Sequence, residues 1–516
     1  MSSGYNSSNK GGALILIARI LLVVETAALA LMCLNVSSIL PMRRLGIIIG
    51  ICVLVIAIQV VMVAGSRRYK GRSIASILLS IALCVVSVMV MMFMRNIHTS
   101  LEQISETTRQ ENKVVNTQTI NVYVRKADGL KLMSELAGRD IGILQAQDTA
   151  NTDQALVQLE AELGEPVSTV AFPGILPIIK GLENGEADAI LVNAMFASAL
   201  TENDPAFLEW AELLGAIDIT KEQPVDETEE EVAPVKTTNV KPVENVSNDA
   251  FLIYLSGMDT RTDEIVSELG NSDVNMVAAV NPTTRQILLV NVPRDYYWYL
   301  WGEENYPDKI THAGYYGVDC SIDTLSSLFG MDINYYVKVG FNSVINIVDA
   351  IGGITVWSDY EFERDGAYIY YGENYLDGYS ALQFARERYT LPGGDRARGI
   401  NQQTVIKAIF AKVTSAEMLP RFNEVLSIIT SNVITSLPPE DLEKIMKMTL
   451  DGSSGWNIQS YQVDGTGSWG YCFSLGDDND IMIPDWNTVE TAKGLLTAVL
   501  NGEYVELAQE EDEWEE

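Results

Sequence analysis

The segment from Phe384 to Gln403 gathers side chains that bind phosphate. It contains four arginines, an aspartate and two adjacent glutamines, whereas the whole chain of 516 residues has a net charge of -34. Guanidinium groups bind phosphate oxygens through paired, planar hydrogen bonds. This concentration of basic groups in an acidic chain predicts a phosphate site, and a solvated helix face is the alternative.

Two of these arginines, Arg386 and Arg388, are separated by one residue. They share a face only where the chain is extended, so the preceding helix is expected to have ended and both side chains can hold one diphosphate. Further on, the polar residues 401–403 precede an apolar helix predicted for residues 405–413. The amides and dipole of a helix N-terminus favour a nearby anion, and Gln402 is expected to donate to the same phosphates.

A second group of polar residues is expected where predicted strands end. Residues 251–256 form a buried-strand pattern that is followed by Asp259 and Arg261. Residues 274–280 and 286–292 flank a turn sequence and predict an antiparallel hairpin.

Hairpin geometry places Asp273, Arg294 and Asp295 at the same end of the sheet. Asp259 joins them if its strand runs parallel to the second hairpin strand. Carboxylates from separate segments hold octahedral Mg²⁺ together with phosphate oxygens in phosphoryl chemistry. The sequence therefore predicts a magnesium site here, with a plain surface salt bridge as the alternative.

The elements around these residues predict the architecture. A strand, a helix and a strand at residues 333–339, 344–351 and 354–357 indicate a sheet with helices laid on it. Together with the hairpin, they predict an α/β fold class: an α-β-α layered domain with a mixed central sheet over residues 249–415.

The first 95 residues differ in kind from the rest. Apolar runs near residues 13–34, 45–65 and 73–94 are each long enough to cross a bilayer as a helix, and they are expected to remain as anchors. The loop at residues 67–72 is the richer in basic residues, so it is expected to be cytoplasmic. Three crossings then place the rest of the chain outside the cell.

Ionisable residues and cysteines give two further expectations. Arg19 and Glu25 lie in or beside the first apolar run and are functional candidates, with snorkelling or mutual pairing as the alternative. Cys320 and Cys472 are the cysteines outside the spans. They are predicted to pair in an oxidising exterior, with two free thiols as the alternative.

Composition divides the remaining chain into further segments. They are a stalk at 96–117, an accessory α/β domain at 118–220, an acidic linker at 221–248, an extension packed on the catalytic domain at 416–500 and an acidic tail at 501–516. Residues 181–190 resemble a turn of periplasmic solute-binding proteins, but the accessory domain is one lobe at most, which favours a spacer or docking module. No basic stripe interleaved with aromatics is present, which argues against nucleic-acid binding.

Six separated motifs occur in one order along the chain. They are Gly257–Arg261, Ser272–Met276, Val292–Asp295, Lys309–Ala313, Phe384–Arg388 and Asp395–Gln403. In sequence and order they resemble the motifs of the LytR-CpsA-Psr (LCP) family. Three membrane spans and an accessory domain resemble the capsule-associated members of that family, and the flanking regions are not covered by the resemblance.

The resemblance implies an extracytoplasmic, Mg²⁺-dependent phosphotransferase of a Gram-positive cell membrane. Such an enzyme moves a glycopolymer, either capsular polysaccharide or teichoic-acid-like, from an undecaprenyl-pyrophosphate carrier to the N-acetylmuramic acid hydroxyl of peptidoglycan. The implied roles are metal binding by Asp259 and Asp273, pyrophosphate binding by Arg294, Arg386, Arg388 and Gln402, base catalysis by Asp395, and substrate contacts by Arg261, Lys309, Arg398 and Gln403. For Lys309 a surface lysine is the alternative.

Two positions depart from the family pattern. Asn271 and Asn401 stand where the family often has arginines, which predicts weaker phosphate contacts there unless Arg398 compensates. Two other functions remain open at this stage. A Mg²⁺-dependent polyprenyl pyrophosphatase would use the same residues with water as the acceptor, and a membrane-bound cell-wall regulator would need none of them.

Overall fold

The computed structural model describes residues 5–37, 42–64, 70–115, 117–220, 240–258, 271–300, 307–413, 415, 428, 432–451 and 455–507. Asp259, Arg261, most of the predicted linker and the end of the predicted tail lie outside these residues. The chain divides into two compact units. One holds the N-terminal helices and the helix Pro439–Asp451, and the other holds the domains that follow residue 117.

The N-terminal unit contains the apolar helices. They are α1 (Tyr5–Val36), α2 (Met42–Ala64) and α3 (Lys70–Val115). Among the described residues, three stretches are long and apolar enough to cross a membrane, namely Ala13–Val36, Met42–Ala64 and Gly71–Ile97. They confirm the three predicted runs. Most of the predicted polar stalk continues α3 as helix, because its glutamates, glutamines and arginine are good helix formers.

A buried polar group joins these three helices. Glu25 of α1 is fully buried, and its carboxylate accepts hydrogen bonds from Gln59 Nε2 of α2 at 3.0 Å and from Ser80 Oγ of α3 at 2.6 Å. Ser80 Oγ also lies 3.0 Å from Gln59 Oε1. The partners of Glu25 are therefore neutral side chains of the other two helices, whereas Arg19 is exposed on the surface of α1.

The accessory domain alternates strands and helices as predicted. Its strands are β1 (Thr117–Arg125), β2 (Asp140–Leu144), β3 (Ser168–Phe172), β4 (Ala189–Asn193) and β5 (Ala211–Thr220). Its helices are α4 (Thr149–Leu163), α5 (Ile175–Asn184), α6 (Ala197–Asn203) and α7 (Phe207–Trp210). The strands form a mixed sheet in the order β3-β2-β4-β1-β5, in which β2 is parallel to both neighbours.

The catalytic domain follows. Its strands are β6 (Phe251–Met258), β7 (Ser272–Asn281), β8 (Gln286–Val292), β9 (Tyr297–Tyr299), β10 (Pro307–Lys309), β11 (Tyr335–Gly340), β12 (Ile354–Ser358), β13 (Phe362–Arg364), β14 (Ala367–Ile369), β15 (Gly372–Leu376), β16 (Val433–Thr435), β17 (Asn457–Gln462), β18 (Gly465–Cys472) and β19 (Asp477–Pro484). The helices are α8 (Val318–Phe329), α9 (Phe341–Ala350), α10 (Gly378–Arg386), α11 (Asp395–Val413) and, after α12 (Pro439–Asp451) of the other unit, α13 (Trp486–Leu500).

A mixed sheet of six described strands lies at the centre of this domain, in the order β16-β11-β6-β7-β8-β17. Helices α8 and α13 cover one face, where Tyr254, Val290 and Leu496 are buried in a common core. Helix α11 approaches the other face. A side chain at Gly399 would overlap Asn291 of β8 and Gln462 of β17, so glycine permits this close contact. The predicted α-β-α layering and mixed sheet are confirmed.

Three predictions need correction. Residues beyond 415 complete the catalytic domain, because β16 and β17 form the two edges of the central sheet. Strand β12 pairs with β15 in a separate two-stranded sheet. Helix α11 begins at Asp395, directly after two glycines, so residues 401–403 lie inside the helix rather than before its N-terminus.

Candidate functional site

The predicted convergence at the strand ends is present. Strand β7 is antiparallel to both β6 and β8, so β6 and β8 run in the same direction and the start of β7 lies beside their ends. Arg294 Nη1 lies 2.7 Å from Asp273 Oδ1. Asp259 follows β6 at this edge in sequence but lies outside the described residues.

Two further charged residues extend this cluster. Lys309 Nζ lies 3.0 Å from Asp295 Oδ1, and Arg294 Nε lies 3.8 Å from the same oxygen. Burial favours protonation of Asp295, but the charges of Lys309 and Arg294 outweigh it and lower the pKa of that carboxyl. Lys309 is buried rather than a surface residue, so the surface alternative is wrong for this side chain.

Helix α11 adds a carboxylate and a guanidinium to the same charge cluster. Asp395 and Arg398 form an ion pair one turn apart. Burial raises the pKa of Asp395, Arg398 opposes that rise, and the nearby carboxylate of Asp295 adds to it. Gln402 follows Arg398 by one further turn and is buried, so these three residues share one face of the helix.

The neighbouring arginine of α11 has a different environment. Arg396 lies two residues from Arg398, which places it on the opposite side of the helix, and its Nη1 is 2.5 Å from Asp464 Oδ2. It lines a cavity of about 1020 Å³ between α11 and β17. The two arginines of this helix therefore serve different surfaces.

Gln403 was predicted to bind substrate, and the structure gives its amide nitrogen a role in packing the helix. Its Nε2 donates to the carbonyl oxygens of Tyr461 at 2.8 Å and Leu289 at 3.4 Å. It lies one turn after Gly399 on the face of α11 that meets the sheet. Gln403 therefore anchors α11 to β8 and β17, and its amide hydrogens are directed to the protein backbone.

Helix α10 ends at Arg386, and the backbone is extended at the next residue, because Glu387 has φ -70° and ψ 132°. Arg386 Cζ lies 4.9 Å from the centroid of the Phe341 ring, whereas Arg388 lies over the Tyr389 ring at 4.6 Å. Arg388 acts electrostatically on Asp395.

The glutamate between these arginines anchors the segment. Glu387 is buried and accepts hydrogen bonds from Arg364 Nη1 at 3.0 Å and from the amide of Thr390 at 2.8 Å. The side chain of Glu387 is buried, whereas those of Arg386 and Arg388 on either side of it are partly exposed. Asn401 Nδ2 donates to the carbonyl of Phe384 at 3.1 Å, so this departure from the family pattern secures the end of α10.

A fully buried group of Asp308, His312 and Cys472 lies beside Lys309. Among the described residues, these three form the group of potential metal ligands, and their ligand atoms all lie within 4.8 Å of one another. The carboxylate of Asp308 already meets His312 Nδ1 at 2.5 Å and accepts hydrogen bonds from the amides of Lys309 at 2.8 Å and Ser474 at 2.7 Å. The group is a satisfied hydrogen-bond network that holds the β10 end in place.

The predicted Cys320–Cys472 disulfide is not formed, and both residues are free thiols. Cys320 Sγ lies 4.0 Å from Thr324 Oγ1 on its own helix, and Cys472 Sγ faces the carbonyl of Gly470 at 3.9 Å. Burial raises the pKa of both thiols, that of Cys320 to about 12, so neither forms the reactive thiolate readily.

The accessory domain reaches the charged cluster at the strand ends. The carboxylate of Glu202 on α6 accepts a hydrogen bond from Asn271 Nδ2, two residues before Asp273, and its charge also acts on Arg294. The amides of Ile175 and Leu176, at the start of α5, donate to the carbonyls of Ser474 at 3.3 Å and Leu475 at 2.9 Å. The two domains share one core, in which Phe196 packs 5.6 Å from Tyr315.

Comparison with known proteins identifies the family of the chain. The LytR_cpsA_psr family matches residues 217–482, which is more than half of the chain. The chain belongs to this family. The LCP protein named polyisoprenyl-teichoic acid–peptidoglycan teichoic acid transferase TagU from Enterococcus faecalis is 35% identical over 246 residues, covering 47% of this chain and 78% of its own.

Two further proteins are similar to this chain. A TagU protein of Bacillus cereus is 35% identical over 216 residues, covering 42% of this chain and 69% of its own. The crystal structure of Bacillus subtilis TagV has a TM-score of 0.43 at 22% identity and covers 50% of this chain and 99% of that chain.

Several functional residues of this LCP protein were missed by sequence reasoning. Asp295 was placed at the sheet end but given no role, although it links Lys309 to Arg294. The position of Glu387 between two arginines that were expected to point outward could have indicated that its side chain points inward. Glu202 comes from another domain, and no local pattern marks it.

Proposed function

We propose that this LCP protein is a phosphotransferase that moves a glycopolymer from a polyprenyl-pyrophosphate carrier to peptidoglycan. The observation that carries the proposal is the meeting of Arg294, Lys309 and Arg398 with Asp273 and Asp395 at one sheet edge. The named activities of the TagU relatives support the same reaction class. Three cations lie together although the chain as a whole is acidic, and such a group favours the binding of a strongly anionic ligand.

The cations bind the pyrophosphate of the donor. Arg294 is 20% exposed and Lys309 is 10% exposed at their side chains, so both are desolvated and each charge acts strongly on a bound anion. As the bond to the lipid phosphate breaks, negative charge develops on the leaving oxygen. Guanidinium and ammonium groups already oriented by Asp273 and Asp295 stabilise that charge without reorganisation.

Asp395 is proposed to act as the base. An acceptor hydroxyl attacks the glycan-side phosphorus and loses its proton to the carboxylate, the new P–O bond forms, and the lipid leaves as its monophosphate. The raised pKa of Asp395 brings its basicity nearer to the working pH than that of an ordinary aspartate. Arg398 keeps the carboxylate oriented through their ion pair.

Mg²⁺ fits the donor chemistry of this edge. Asp273 offers a hard carboxylate oxygen, and its side chain is 14% exposed, so an ion can reach it. We propose that Asp273 and Asp259 hold the ion. When bound, it would neutralise phosphate oxygens and stabilise the leaving group.

The helices and topology support a membrane setting for this reaction. Three apolar stretches among the described residues support membrane anchoring, and the richer basic loop supports a location of the catalytic domain outside the cell. A lipid-linked donor in the outer leaflet of that membrane is then on the same side as the catalytic domain. We propose an undecaprenyl chain on the donor, in a Gram-positive envelope.

The test uses the full chain in lipid nanodiscs, a synthetic polyprenyl-pyrophosphate glycan and peptidoglycan oligomers. Wild type is expected to form glycan–peptidoglycan product in the presence of Mg²⁺. Arg398→Ala should lower turnover by about a hundredfold, whereas Lys241→Ala, which removes an exposed cation paired with Asp332, should leave it within about threefold of wild type. Release of phosphate without linkage would instead identify a pyrophosphatase.

A further inference from the structure

An exposed aromatic surface lies on the β12–β15 region and the start of α10. Its residues share large rings that are at least 45% exposed, and they are Trp357, Tyr368, Tyr370, Tyr371, Tyr375 and Tyr379. On β12 and β15 every second residue is buried, so strand alternation places the rings of Trp357 and Tyr375 outward. A concentration of exposed rings of this kind marks an interaction surface.

The rings are arranged as platforms rather than scattered singly. Trp357 and Tyr371 lie with ring centroids 5.9 Å apart, and Tyr368 and Tyr370 lie 4.6 Å apart. Thr355 faces Tyr375 across the two strands, which puts Tyr375 on the same outward face as Trp357 and diagonal to it.

The negative charge of the surface argues against an anionic partner. Residues 354–380 contain six exposed acids and a single base, Arg364, and the acids are Asp359, Glu361, Glu363, Asp365, Glu373 and Asp377. Anionic lipid attracts basic segments and repels acidic ones, and a polyanionic polymer is repelled likewise. An uncharged partner with flat apolar faces and many hydroxyl groups fits best.

The surface continues toward the start of α11, the helix that carries Asp395. Trp357 Nε1 donates to Asp359 Oδ1 at 2.8 Å. Asp359 lines the cavity of about 1020 Å³, whose other wall includes Gly393 and Arg396 on either side of Asp395 in the sequence. A bound chain that crosses the aromatic rings can therefore continue into a cleft beside the start of α11.

We propose that the aromatic surface and the adjoining cavity bind the glycan strand of peptidoglycan, the acceptor, a deepening that rests on the proposed transferase function. The C–H faces of its uncharged amino sugars stack on the rings, and exposed carboxylates accept hydrogen bonds from its hydroxyl and amide groups. The repeating sugars of a strand match a surface that offers several platforms in succession.

The test measures binding of the full chain, in detergent micelles, to purified cell-wall sacculi stripped of anionic polymers. The double variant Trp357→Ala/Tyr375→Ala is expected to bind about tenfold more weakly, because two ring contacts are lost. Trp469→Ala removes an equally exposed ring outside this surface and should bind as wild type does. Tyr375→Phe keeps the stacking face and should also retain binding.

The outcomes separate the surface from the reaction. Unchanged wall binding by the double variant, or a loss of binding to phosphatidylglycerol vesicles instead, would overturn the proposed surface. Transfer to a short soluble disaccharide-peptide, measured in parallel in wild type, tests the reaction independently of wall binding. Absence of that transfer in wild type, together with ring-dependent wall binding, would refute the transferase and leave the surface standing.

Discussion

The guanidinium of Arg294 lies 2.7 Å from the carboxylate of Asp273, so the proposed phosphate ligand and the proposed metal ligand are bound to each other. Burial works against the charged guanidinium, but Asp273 and Asp295 raise the pKa of Arg294. A metal cation that binds the carboxylate of Asp273 would replace Arg294 as its partner. The guanidinium of Arg294 could then bind an anion. Metal binding and pyrophosphate binding should therefore assist each other.

The first prediction follows from this pair. Mg²⁺ should tighten binding of farnesyl pyrophosphate by about tenfold or more in the wild-type chain, measured by calorimetry. In Arg294→Ala the effect of Mg²⁺ should shrink to a few-fold, because the released group is missing. Arg396→Ala should keep the full effect. Equal affinities with and without Mg²⁺ in wild type would contradict the coupling.

The second prediction concerns pH. Burial raises the pKa of Asp395 above that of an ordinary aspartate, and a base loses activity as pH falls through its pKa. The acid limb of the kcat/KM profile should therefore lie above the usual aspartate range. Arg398→Ala removes the positive charge that opposes the rise, so the limb should move to higher pH.

The control for this measurement is Arg396→Ala, whose guanidinium pairs with Asp464 on the opposite side of the helix. Its acid limb should coincide with that of wild type. An acid limb that stays in place in Arg398→Ala would show that another group controls the profile.

Sequence patterns predicted the parts of the site that depend on local geometry. The turn at residues 281–284 indicated the hairpin, and the hairpin alone brought Asp273 to Arg294. Alternation likewise predicted the extended backbone between Arg386 and Arg388. These inferences succeeded because each rests on residues that are neighbours in one element.

The parts that were missed depend on packing between distant segments. The start of α11 was placed too late, because its polar first turns face a charged site and hide the usual apolar stripe. The residues of the edge strand β17 show no clear alternation of apolar and polar side chains. The contact of Glu202 with Asn271 joins two domains, and no local periodicity encodes it.

The third prediction tests the junction of the accessory and catalytic domains. Gly174 packs against the backbone of Gly476, and a Cβ atom at Gly174 would overlap it. Gly174→Ala should therefore separate the α5 amides from their carbonyl partners and lower both turnover and thermal stability. Hydrogen exchange should increase at Ile175 and Leu176.

Gly467→Ala is the matched control, because a Cβ atom there meets no atom within 4 Å. It should leave exchange and turnover close to wild type. Glu202→Gln keeps the junction packed but removes a negative charge near Arg294, so it should change turnover without changing the exchange rates at Ile175. Normal exchange in Gly174→Ala would show that the junction tolerates the added atom.

The fourth prediction concerns the membrane helices. Glu25 accepts hydrogen bonds from Gln59 and Ser80, so one carboxylate ties α1 to both α2 and α3. Glu25→Ala should leave two polar side chains facing an apolar interior and destabilise the helix bundle by about 1 to 2 kcal/mol. The expected result is a lower melting temperature of the detergent-solubilised chain.

Ser80→Ala removes a single partner and leaves the Gln59 contact in place, so its effect should be smaller than that of Glu25→Ala. The double variant Glu25→Ala/Ser80→Ala should be less destabilised than the sum of the two single variants, because both changes remove the same hydrogen bond. Strict additivity would mean that the carboxylate and the hydroxyl stabilise the bundle independently.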